Sequence, residues 1–209
     1  MCDRLDIPVV LKAKLITMKI ISFFLLAFTA ELLLAETKEL TVSIDDSLIV
    51  WTGTKVWGKH QGVVRISEGK IHMKDQQLDG GFFVIDMNSI ECTDIPDHEP
   101  VPKRRLENHL KDPDFFDVGR YPTAKFVITA VKPSPDVENV LIATGDLTIK
   151  NTTKPIDVEI KTEKRNDNLF IGRADIRFNR QQWGVAFKGI GDEMVHDQVT
   201  LNVFIKAVQ

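Results

Sequence analysis

VLIATGDLTIKNTTKPIDVEIK, from Val140 to Lys161, alternates twice with a period of two. Leu141, Ala143, Leu147 and Ile149 share one parity, with Thr144, Asp146 and Thr148 on the other; Ile156, Val158 and Ile160 then alternate with Asp157, Glu159 and Lys161. Successive side chains of an extended strand point to opposite faces, so each run reads as a strand with one apolar and one wet face. Working outward, Phe126 and Ile128 oppose Lys125 and Thr129, and Phe170, Ala174, Ile176 and Phe178 oppose Arg173, Asp175 and Arg177. Val199, Leu201, Val203 and Ile205 alternate with Thr200, Asn202, Phe204 and Lys206. Antiparallel strands that cover a single interior carry this pattern. Turn signals stand at Glu68-Gly69-Lys70, Asp79-Gly80-Gly81, Lys132-Pro133-Ser134-Pro135 and Arg165-Asn166-Asp167-Asn168. Many short strands at such spacing read as a sandwich or a barrel. Between Pro100 and Asp117 the pattern changes: Arg105, Leu106, His109 and Leu110 predict one short helix, stopped at Asp112-Pro113 because a residue before proline disfavours helical backbone.

The 209 residues suit one domain, and a net charge of −3 without a basic stripe excludes the usual nucleic-acid binder. Lys103-Arg104-Arg105 sits among acids and reads as a solvated face. From Met18, a basic Lys19, an apolar run from Ile20 to Ala30 and a small Ala35 before Glu36 follow the plan of a secretory signal peptide. Residues 1–35 are therefore expected to be removed on export to the periplasm, with residues 1–17 read as preceding the true start at Met18. An uncleaved signal that anchors the chain in the membrane is the alternative. The domain is then 36–209, in which Cys92 is the only cysteine and no intrachain disulfide forms.

Enzyme signatures are missing. His60, His72, His98, His109 and His196 have no paired metal-ligand spacing, so no metal site is expected. Cys92 lies between Glu91 and Asp94, acids that raise a thiol pKa instead of activating it, and no G-x-S-x-G elbow occurs. No catalytic residue and no cofactor are expected.

Five stretches, in order, resemble the YceI-like lipid- or polyisoprenoid-binding proteins. They are WTGTKVWGKHQGVV from Trp51, GGFFVIDMNSIECTD from Gly80, HLKDPDFFDVGRYPTAKF from His109, GDLTIKNTTKPI from Gly145 and DIRFNRQQWGV from Asp175. Two departures are Asn151, where the family usually has glycine, and Gln181, where it has a small hydroxyl residue. The resemblance implies an all-β fold: an elongated antiparallel β-barrel of lipocalin type, about eight strands with one or two short helices. It also implies a tunnel for a long isoprenoid chain, whereas alternation alone fits a filled barrel equally well.

On that reading the tunnel lining is Val64, Ile66, Phe83, Ile85, Phe126, Ile128, Leu141, Leu147, Phe178 and Val203. Headgroup candidates at the rim are His60, Asn179, Arg180 and Trp183. His60 shares parity with Val64 and Ile66, and either meets a headgroup or is satisfied by a backbone carbonyl. Arg180 either grips a phosphate or quinone oxygen or pairs with an acid such as Asp86. Phe115-Phe116 and Tyr121-Pro122 plug the barrel end or form a lid, and Trp51 and Trp57 fit lining or sealing positions. The implied function is periplasmic binding, transport or storage of a polyprenyl or quinone-type lipid, with transient membrane contact. An enzyme acting on a lipid or quinone in the same tunnel, and a stress-related module partnering a membrane cytochrome, are the alternatives.

Overall fold

The computed structural model describes residues 37–187 and 194–209; the expected signal peptide, residues 1–35, lies outside them. The described residues form strands β1 (Thr37–Val42), β2 (Leu48–Lys55), β3 (Lys59–Lys74), β4 (Gln77–Cys92), β5 (Thr123–Pro133), β6 (Val140–Ile149), β7 (Thr152–Asn166), β8 (Leu169–Asn179) and β9 (Val195–Val208). Helix α1 spans Pro100–Lys111, and a 3-10 helix spans Arg180–Trp183.

Every pairing is antiparallel, and β2 through β9 close into an eight-stranded ring: β3 pairs with β4, and β2 with both β3 and β9. β1 continues the place of β2, with Leu40 opposite Ile71 of β3 and Val42 opposite Ala207 of β9. Across the break between them, Ser47 Oγ donates to Lys206 O at 3.3 Å and accepts from Lys206 N at 3.1 Å, so the ladder stays satisfied. Closure removes the exposed edges of the sheet. The core fills from the inward parity of the strands: Leu40, Ile71, Met73, Ala143, Phe170 and Ala207 are all but inaccessible to solvent.

Two expected turns are not turns. β3 runs straight through Glu68-Gly69-Lys70, and β4 through Asp79-Gly80-Gly81. The register shifts between Ile66 and Glu68, so the inward side chains change parity from Val64 and Ile66 to Ile71 and Met73. Such bulges add an unpaired residue and bend a strand. The glycines permit close approach: a Cβ on Gly69 would sit 2.8 Å from Val42 Cγ2, and one on Gly81, at φ +149, would sit 2.4 Å from Lys70 O. The real β3–β4 turn is Asp75-Gln76, both at positive φ (50 and 62). The turns expected at 132–135 and 165–168 do end β5 and β7.

α1 carries prolines in its first turn, where no N–H is needed, and His109 and Lys111 in its last. It stops at extended Asp112 (φ −67, ψ 162) before Pro113, as expected. Its inner side packs Leu106 and Leu110 toward the core, and Glu107 Oε1 accepts from Cys92 N at 2.9 Å.

Candidate functional site: the barrel interior

A cavity of about 200 Å³ runs inside the barrel. Val64 and Ile66 of β3, Phe83 and Ile85 of β4, Phe126 and Ile128 of β5, Leu147 of β6, Phe178 of β8 and Val203 of β9 line it. Leu141 does not: it is buried opposite Pro133 at the far end of its strand and packs in the core. Trp51, expected at a lining or sealing position, lines it too, as do residues for which the sequence indicated no role, such as Met87 and Ile90. Ile156, Ile160 and Ile176, recognised as apolar faces but not named as lining, belong with them.

Several of these inward residues (Phe83, Phe126, Ile156, Ile160, Leu201 and Val203) are only partly buried although they pack against the core. An inward apolar side chain keeps accessible surface only when it faces open space. The barrel is thus hollow, a point that alternation alone left undecided. The lining on β9 extends from Val195 to Ile205. Ten residue steps at about 3.3 Å, tilted by about 40°, give a passage roughly 25 Å long.

One end is closed by α1 and the segment after it. Leu110, Phe115 and Phe116 reach the cavity. The His109 ring meets Phe187 edge-on at 4.4 Å and Phe115 at 5.7 Å, and Lys150 Nζ donates to Phe115 O at 3.2 Å. Tyr121 and Pro122 take no part: Arg120 lies over the Tyr121 ring, and Pro122 O accepts from Met87 N.

Arg180 is a buried charged group at this end, 1% exposed and part of the lining. Its ion-pair partner is Asp197 (3.3 Å), not Asp86, whose carboxylate is taken by Asn88. Nε donates to His196 O (3.2 Å), Nη1 to Val185 O (2.5 Å) and Nη2 to Val195 O (3.2 Å) as well as Asp197. A guanidinium has five N–H groups. Four are thereby used, and the second Nη1 hydrogen has no acceptor among the described residues. Burial pulls its pKa down from the usual arginine value, and Asp197 works against that.

The remaining rim candidates have structural placements. Asn179 caps the 3-10 helix, its side chain accepting from Gln181 N at 2.9 Å. Trp183 is 1% exposed, packs edge-on against Phe178 at 5.3 Å and donates from Nε1 to Leu147 O at 2.9 Å; it does not touch the cavity. Trp57, 73% exposed, neither lines nor seals.

His60 lies outside the cavity despite its inward parity. The Trp51 indole occupies that face at Gly62, where an added Cβ would come within 2.4 Å of the ring. His60 Nδ1 instead sits 3.0 Å from Asp94 Oδ2, and Cys92 Sγ sits 3.0 Å from Asp94 Oδ1. The Cys92 thiol is pushed up to about 11, first by burial and then by Asp94. No pair of histidines foretold this cluster; the pairing of Gly62 with Cys92 between β3 and β4 assembles it.

Comparison with known proteins adds the family context. A family model described as a YceI-like domain matches residues 39–207. A UPF0312 protein of Pseudomonas savastanoi pv. phaseolicola is 47% identical over 53 residues, 25% of this chain and 27% of that protein. Protein YceI of Escherichia coli O157:H7 is 36% identical over 67 residues, 32% of this chain and 34% of that protein. The aligned stretches thus span about a third or less of these relatives. Among solved structures, Burkholderia cenocepacia BcnA has a TM-score of 0.65 at 20% identity, covering 80% of this chain and 99% of that one. A polyisoprenoid binding domain from Saccharophagus degradans has a TM-score of 0.57 at 9% identity, covering 81% and 97%. At these identities the likeness is one of fold.

Proposed function

The chain belongs to the YceI-like domain family, and from that membership and its hollow apolar interior we propose that it binds a long isoprenoid lipid, polyprenyl or quinone in type, for transport or storage in the periplasm. The observation that carries this reading is the partly exposed apolar lining: a passage roughly 25 Å long, walled by side chains such as Phe126, Ile160 and Leu201, offers an extended hydrocarbon everything it needs and a polar molecule almost nothing. Burial of a tail is favourable by about 0.8 kcal/mol per CH₂. The solved structural relative described as a polyisoprenoid binding domain has the same fold.

Arg180 supports a headgroup at the α1 end. Its remaining Nη1 hydrogen is available to a phosphate or quinone oxygen without breaking any of its four bonds. Binding is non-covalent, and loading requires transient contact with a membrane that holds the lipid. The test is titration of delipidated protein with a polyprenyl alcohol, a polyprenyl phosphate and a quinone of equal tail length. Saturable one-to-one uptake of at least one, with the alcohol weakest, is the expected outcome; no saturable uptake of any of the three overturns the proposal.

A further inference from the structure

We propose that His60, Cys92 and Asp94 form a binding site for a zinc-class divalent cation at the end of the barrel, separate from the cavity. The three ligand atoms, His60 Nδ1, Cys92 Sγ and a carboxylate oxygen of Asp94, lie within 4.8 Å of one another. Tetrahedral zinc bound at about 2.0–2.3 Å holds its ligands roughly 3.3–3.8 Å apart, so small side-chain adjustments suffice. One thiolate, one imidazole and one carboxylate is a borderline-soft set that suits zinc and is foreign to calcium or magnesium. His60 and Asp94 are about one-third exposed, which admits the ion and leaves a fourth position for water.

The supporting bonds are already made. Gln61 N donates to Asp94 Oδ1 at 2.9 Å, and Cys92 N donates to Glu107 Oε1 at 2.9 Å. Groups of this kind orient metal ligands and hold them in place. On binding, the Cys92 S–H bond breaks, its proton passes to solvent and the sulfur electron pair goes to the cation. Asp94 coordinates through Oδ2 while Oδ1 keeps its bond to Gln61, and His60 coordinates as neutral imidazole. Without a cation the same thiol is buried and donates to Asp94 Oδ1 at 3.0 Å. The ion would tie the start of β3 to the end of β4, where the chain leaves for α1. This inference does not depend on the lipid reading, because none of the three residues lines the cavity.

The test is calorimetric zinc titration of the metal-stripped, untagged protein, with cobalt as a spectroscopic probe. The wild type should bind one zinc per chain, show a thiolate-to-cobalt charge-transfer band and melt at a higher temperature with zinc than without. Cys92→Ser should lose the band and the thermal shift, and both it and His60→Gln should weaken zinc binding by roughly tenfold or more. His60→Gln changes a part-exposed ring and keeps the test decisive should Cys92→Ser not fold. Asp114→Asn, in the second cluster of His109, Asp112 and Asp114, should leave affinity unchanged. No stoichiometric binding by the wild type, a band that persists in Cys92→Ser, or affinity lost through Asp114→Asn instead would each overturn the proposal.

Discussion

Replacing Ile128 by aspartate places one carboxyl group in the wall of the cavity. Ile128 is 7% exposed, lines the cavity and stands in register between Gly81 and Gly145, neither of which has a side chain to offer a partner. The lost burial of isoleucine costs about 1.5–3 kcal/mol. In a dry wall the new carboxyl must keep its proton; pH 7 lies about 3 units above its ordinary pKa, which costs about 4 kcal/mol. The protonated group still lacks a hydrogen-bond partner, for about 1–3 kcal/mol more. Together these terms come to about 7–10 kcal/mol, comparable to the whole stability of a domain.

The sign of the pH effect follows. The folded-state pKa of this carboxyl is raised above its unfolded value, so stability is greatest below about pH 4 and falls as pH rises toward the folded pKa. Urea unfolding of delipidated wild type, Ile128→Ala and Ile128→Asp, followed by tryptophan fluorescence at pH 4 and pH 7, measures each term. Ile128→Ala should lose about 2–5 kcal/mol at both pH values. Ile128→Asp should be unfolded or barely folded at pH 7 and regain about 4 kcal/mol relative to wild type at pH 4. If Ile128→Asp loses no more than Ile128→Ala at pH 7 and shows no acid recovery, the carboxylate is hydrated and the interior is wet. The case for an apolar ligand would then fail.

Trp183→Phe keeps the packing on Phe178 but removes the indole donor to Leu147 O, so thermal or urea unfolding should show a loss of about 0.5–1.5 kcal/mol. Arg180→Met leaves Asp197, which is 44% exposed, without its cation and removes the donors to three backbone carbonyls, that of buried Val185 among them; delipidated protein should lose about 1–3 kcal/mol for the buried carbonyl left unpaired, and the loaded protein its preference for polyprenyl phosphate over polyprenyl alcohol. Gly81→Ala sets a methyl group against Lys70 O at a positive φ, and should lower stability by about 1–3 kcal/mol without moving the strand register, as read by unfolding and amide exchange.

The barrel was legible wherever one parity held along a whole strand. In β6 and β9, Leu147, Ile149, Val203 and Ile205 point inward as their alternation says. Legibility failed where glycine served a bulge. Gly69 and Gly81 read as turns because glycine favours both, and only three-dimensional proximity to Val42 and Lys70 distinguishes the two uses. The true turn at Asp75-Gln76 lacks the Asn-Gly or Asp-Gly pair that would have marked it. At the site, parity alone placed His60 inward, but it carries no knowledge of the Trp51 ring that covers that face at Gly62. Arg180 was recognisable as a residue of interest; its partner Asp197 was not, because the fold, not sequence spacing, selects one acid among many. Trp183 could not be told from a cavity residue, since lining and core aromatics share the same alternation.

The central claim is that the barrel holds a long apolar lipid. Native mass spectrometry of the protein as purified from its native cells, with organic extraction of the same sample, tests it most directly. A loaded barrel has a mass above that of the chain by one isoprenoid lipid, released on extraction in about one-to-one amount and lost from Ile128→Asp. A chain of bare mass that stays bare after exposure to the source membranes would contradict it.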